Sequence, residues 1–197
     1  MFRFAVTARL WAIRLLAILV LASCEVPGGM TPQVTVLGGE IVVRAPQFYC
    51  VSETASRSGD DTAVVLIGRC TEAGRVAAAL VTVTIGRIAS GGVMLAGAEP
   101  LRAFLRSFAG RTALSRSGRA GDVAILQSGV VDGTLLLHLN DRVAGQYWRA
   151  VIGIRGRLVT ISATGAEGAP LTPNDGQRLV RQTVAALIKA NPATRTQ

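Results

Sequence analysis

The sequence predicts an α+β fold, an antiparallel sheet covered by two helices, and three observations carry that expectation. Short runs rich in Val, Ile and Leu recur along the chain with glycine-containing turns between them, which is the pattern of hairpins. Two other segments show a single apolar face at helical spacing, one after Glu99-Pro100 and one after Thr172-Pro173. Helices of that kind need a sheet to cover, so an α/β sandwich follows. The chain has 197 residues, half of them hydrophobic, enough for one well-buried core and few for two. A single domain is therefore expected over 33–192.

Taken in order, VTVL and EIVV read as two strands around a turn at Gly38-Gly39. FYCVS is a third short apolar segment, SETASRSGDD behind it reads as a polar loop, and AVVLIGRC reads as a buried strand ending at Cys70. Between Val76 and Arg87 the apolar run fits helix or strand, but Val81, Val83 and Ile85 are β-branched and alternate with threonine, so the second half is expected as a strand. Leu101, Phe104, Leu105 and Phe108 then fall at i, i+3, i+4 and i+7, the apolar face of a helix that Gly110 would stop. Two hairpins follow: Val123 to Val131 turning at Asp132-Gly133 into Thr134 to Asn140, and Tyr147 to Ile154 turning at Arg155-Gly156 into Leu158 to Ala163. The last helix starts with Thr172 as cap, Pro173 in its first turn and Asp175 where the helix dipole favours an anion. Its face is Leu179, Val180, Thr183, Val184, Leu187 and Ile188, and Asn191-Pro192 ends it, leaving 193–197 as an expected disordered tail.

The first 23 residues hold Arg3, Arg9 and Arg14, no acid, and the unbroken apolar run Leu15 to Ala22, the layout of a secretory signal. That run is short of the roughly 20 residues a membrane-spanning helix needs. A retained N-terminal anchor is the alternative, with Trp11 to Ile13 lengthening the segment while Arg14 snorkels. Leu21, Ala22, Ser23 and Cys24 resemble the lipobox of bacterial lipoproteins. The resemblance implies acylation of Cys24 as the mature N-terminus and attachment to the membrane through that lipid. Glu25 to Pro32, rich in Pro and Gly and without periodicity, reads as a tether, so 24–32 is expected to be flexible. A plain signal peptide with an incidental cysteine is the other reading. In that family aspartate after the cysteine often marks inner-membrane retention; Glu25 stands here, which favours the periplasmic face of the outer membrane over the inner.

With Cys24 assigned to lipid, Cys50 and Cys70 remain as an even pair in a chain bound for an oxidising compartment, and a disulfide between them is expected. A metal or redox pair is the competing reading, although neither cysteine sits in a Cys-x-x-Cys and the one histidine, His138, is far away in sequence. Loss of the leader removes three of 21 basic residues and none of the 12 acids, which leaves the mature part at +6, nearly all of it arginine. An exported basic protein meets anionic envelope surfaces rather than nucleic acid.

The segments FYCVSETASRSGDDTAVVLIGRC and QYWRAVIGIRGRLVTISATG resemble a group of cysteine-pair lipoproteins of alphaproteobacteria to which no activity is assigned, and the order of elements is similar to PsbP-like and DcrB-like domains. Neither likeness implies a reaction.

Candidate chemistry is sparse, and no cofactor or metal is expected. His138, in LLLHLND, is the one general base near neutral pH, and with Asp141 and a serine it would make the triad of a small periplasmic hydrolase, yet no G-x-S-x-G supports it. Asp60-Asp61 are adjacent loop acids without further ligand spacing. Of Tyr147 and Trp148, alternation predicts one packed under a helix and the other exposed. The clearest feature is the arginine run Arg102, Arg106, Arg111, Arg116 and Arg119, between Glu99 and Asp122 with no acid inside it. Guanidinium forks suit phosphate and carboxylate, so anionic lipid, polysaccharide or an envelope protein is the expected partner, against an ordinary solvated surface. The leading expectation is a non-enzymatic, membrane-anchored binding or structural module.

Overall fold

The computed structural model describes residues 29–70 and 76–192. The leader, Cys24 and the tail 193–197 lie outside the described residues. Among the described residues there are ten strands: β1 (Met30–Thr31), β2 (Gln33–Val36), β3 (Ile41–Arg44), β4 (Tyr49–Ser58), β5 (Ala63–Arg69), β6 (Ala79–Ile85), β7 (Val123–Val131), β8 (Thr134–Asp141), β9 (Gly145–Ile154) and β10 (Arg157–Gly165). Three helices accompany them: α1 (Ala98–Arg106), α2 (Phe108–Leu114) and α3 (Pro173–Ala190), with a 3-10 turn at Ser90–Met94. Eight strands form one sheet in the order β1-β4-β5-β6-β10-β9-β8-β7, every neighbouring pair antiparallel. The expected class, antiparallel sheet plus covering helices and one disulfide, is the one observed.

Two meanders, β4-β5-β6 and β7 to β10, meet where β6 pairs with β10. The hairpin turns fall at Asp132-Gly133 and Arg155-Gly156, both residues of each turn having positive φ, the backbone that matches a tight turn to strand twist. One sheet face packs under α3 and the separate β2-β3 hairpin. Its core includes Ile41, Val43, Val65, Ile67, Val83, Ile161 and, from the helix, Leu179, Val180 and Leu187. Alternation puts Leu135, Leu137 and Leu139 of β8 on the opposite face, where Ala98, Leu105 and Leu114 of the α1-α2 layer cover them. That layer is the connection from mid-sheet β6 to the outer strand β7. It covers the β7-β8-β9 side, and on the other side Val64 and Leu80 remain exposed.

Four expectations need correction. SETASRSGDD is not all loop: β4 runs on to Ser58, because a register shift between Ser52 and Arg57 lets the polar residues pair with β5. Pairing begins before Gln33, since Met30 and Thr31 align with Ser52 and Val51 of β4. The helix after Glu99-Pro100 is two helices. Ser107 caps the second, its Oγ accepting from the Gly110 amide at 3.1 Å, and Gly110 lies inside α2. Finally, Tyr147 and Trp148 are both core, 3% and 4% exposed, because strand β9 is covered on both faces.

Cys50 and Cys70 are disulfide-bonded, with Cα atoms 5.2 Å apart at the end of the β4-β5 hairpin opposite its turn. The β2-β3 hairpin is fastened at three points, the first at its turn, where the Leu37 amide donates to Ser58 Oγ at 3.1 Å. Asn191, capping α3, donates from Nδ2 to the Val42 carbonyl at 2.7 Å and accepts from the Val42 amide at 3.0 Å. Arg157, itself buried, donates to both Glu40 carboxylate oxygens and to Asp61 Oδ1.

Candidate functional site

The arginine run sits on the α1-α2 layer, and its members differ in what they touch. Arg102 pairs with Glu99 one turn earlier on α1 at 2.7 Å, and Arg119 pairs with Asp122 at 2.8 Å. The two acids that bracket the run thus neutralise its outermost members. Asp122 also accepts from the Ser117 hydroxyl at 2.6 Å; that bond, then Arg119, holds its carboxyl below the ordinary aspartate range. Arg116 is engaged differently: its guanidinium carbon lies 5.9 Å from the centre of the Tyr147 ring. Its amide donates to Asp141 at 3.0 Å.

Arg106 and Arg111 remain, and they meet at the Ser107 corner between α1 and α2. Arg111 Nη1 donates to the Arg106 carbonyl at 2.7 Å, satisfying a carbonyl the end of α1 leaves open. No acidic residue pairs with either guanidinium among the described residues. Beside them stand Phe104 and Phe108, 50% and 74% exposed. The periodicity places both phenylalanines on a buried face; α1 instead turns Ala98 and Leu105 to the sheet and leaves Phe104 outside, and the break at Ser107 puts Phe108 on the next helix, which buries Leu114. The signal for this was in the sequence, a serine in mid-helix followed by glycine three residues on, since serine favours a cap over a helix interior.

His138 and Asp141 occupy one strand without forming a catalytic pair. The imidazole stacks on Trp148, centroids 4.8 Å apart and planes 5° from parallel, and burial lowers its pKa below the ordinary value. Asp141 is 1% exposed, which by itself raises its pKa. Amides of Arg116, Val143 and Ala144 donate to it and bring the net shift below the ordinary value. The cavity bordering His138, Trp148, Thr172 and Gly176 measures about 10 Å³, room for about one water. Asp61 of the loop acids accepts from the Ile88 amide at 3.0 Å and from Arg157, so it fastens the 86–90 turn to the sheet.

No family model matches the chain, and no curated protein matches it in sequence. Two solved structures are weakly similar in fold. One is a mutant of the protein Mog1, 14% identical, covering 86% of this chain and 98% of that one at a TM-score of 0.42. The other is the solution structure of cyanobacterial PsbP (CyanoP) from Synechocystis sp. PCC 6803, 17% identical, covering 85% of this chain and 97% of that one at the same TM-score.

Proposed function

We propose that the chain is an envelope lipoprotein whose single domain, held through acylated Cys24 at the periplasmic face of the outer membrane, is a binding or structural module and not an enzyme. The observation that carries this reading is the Cys50–Cys70 disulfide, which fits an oxidising compartment and leaves Cys24 as the one remaining thiol in the sequence, directly behind an apolar run. Among the described residues no helix is long and apolar enough to cross a membrane, so attachment falls to the N-terminus in this account. Glu25 in place of aspartate supports the outer over the inner membrane. The packing of His138 against Trp148, beside a space fit for a water and no substrate, favours binding over hydrolysis.

Intact-mass analysis and fractionation of the native product test the proposal. The expected species lacks residues 1–23, carries acyl chains on Cys24 and sediments with outer membrane, while Cys24→Ala accumulates as soluble protein or precursor. Membrane fractionation of Cys24→Ala identical to the unsubstituted chain overturns it.

A further inference from the structure

We propose that the α1-α2 layer is a second membrane contact, a corner of paired phenylalanines and arginines that docks on anionic phospholipid and lays the domain against the bilayer. The inference deepens the function proposed above and rests on it for the bilayer's proximity. Of thirteen large apolar residues exposed among the described residues, four lie between Val93 and Phe108, two of them just before α1 and two at the α1-α2 corner. Leu95 is the most exposed of all at 90%. These side chains are not surplus core, because the sheet beneath is already covered by Ala98, Leu105 and Leu114. From Ala98 to Arg119 the chain carries five arginines and one glutamate. Exposed Phe and Leu among arginines is the composition of polypeptide that lies in a lipid interface.

Charge selects the occupant. A second copy docked through the same surface would bring the Arg106 and Arg111 guanidiniums against their like, which is unfavourable. An anionic headgroup layer offers phosphates to both arginines while its acyl boundary takes the two phenylalanines. The sheet order makes the contact a distinct one. The α1-α2 layer lies over β7 and β8, six to seven strand spacings from β1, or about 30 Å. Five residue steps separate Cys24 from Gly29, a reach of at most about 18 Å. An acyl tether near β1 and a docked corner near β7 therefore hold opposite edges of the sheet, and together they fix the domain's orientation where either alone leaves it free to swing.

Amide hydrogen exchange on the full lipid-bearing chain, reconstituted in phosphatidylcholine vesicles with and without phosphatidylglycerol, tests the contact. Amides of 104–112 exchange more slowly on the anionic vesicles than on the neutral ones, and added salt removes the difference. Arg106→Gln with Arg111→Gln lowers the docked-to-undocked ratio about thirtyfold, two surface arginines' worth. Phe104→Ser with Phe108→Ser also abolishes the protection, with an unchanged melting temperature showing that the fold is intact. Equal exchange on both vesicle types, or protection indifferent to both double variants, overturns the proposal. So does protection without vesicles that grows with protein concentration, which marks self-association. The Cys24→Ala chain separates the two readings: corner protection on anionic vesicles in that chain upholds the docking surface even where the tether reading fails.

Discussion

Gly110 stands where a side chain has no room. A Cβ built there meets the Phe104 carbonyl oxygen at 2.1 Å and the Leu105 Cα at 2.4 Å, both of them backbone. Alanine is the better helix former by about 1 kcal/mol, but the clash forces α2 away from α1, and overpacking of this kind costs about 1–3 kcal/mol. Gly110→Ala is therefore expected to lower the urea midpoint despite its helix propensity; an unchanged or raised midpoint contradicts the close approach. His138 offers a second test at the same scale. Its folded pKa is lowered by burial, so below about pH 6.5 the unfolded chain binds the proton that the folded chain resists. Stability from this group is thus fully present above the unfolded value and falls as pH drops through it. His138→Gln is expected to flatten the stability profile between pH 7 and 5.5, read by denaturant titration at each pH.

Elements show why some of the fold was legible and some was not. The C-terminal hairpins and α3 follow local chemistry: Asp132-Gly133 at a turn needing positive φ, and Thr172 Oγ1 accepting from the Asp175 amide to cap the helix. The extension of β4 escaped because its polar residues are stabilised by a partner strand, through Ser56 Oγ accepting from the Leu66 amide at 3.0 Å, and no local pattern carries that information. The outward phenylalanines escaped because spacing reports which residues share a helix face, and Ser107 ended that helix between them. At the arginine run, the sequence showed the cluster but not its sorting into acid-paired, ring-stacked and unpaired members, which depends on tertiary neighbours. The disulfide was legible by counting and has an element-scale consequence. It closes a loop of about 20 residues, and reduction is expected to destabilise the domain by roughly 3 kcal/mol in the chain-entropy account. Thermal melts with and without reductant, beside Cys50→Ala with Cys70→Ala, check it, and equal melting temperatures contradict it.

At the scale of the whole molecule, the domain is two unequal layers on one sheet, and the larger is locked by Asn191, the residue that caps α3. Asn191 stands in for a strand, donating to and accepting from the main chain of Val42 across a sequence separation of 149. It also donates to the Leu187 carbonyl at 2.8 Å, joining α3 to β3. Asn191→Ala leaves the Val42 amide and carbonyl without these partners, a loss expected to cost about 2–4 kcal/mol and to expose the β2-β3 hairpin first, visible as selective exchange of the Ile41 to Arg44 amides. Uniform loss of protection across the sheet would argue against the clasp. The same clasp has a temporal meaning, because a chain is made from its N-terminal side onward. Val42 is made 149 residues before Asn191, so the flap waits through all of that stretch before its fastener arrives. Until then the apolar floor beneath it stays open to passing chaperones, and the flap is sealed only once Asn191 has been made.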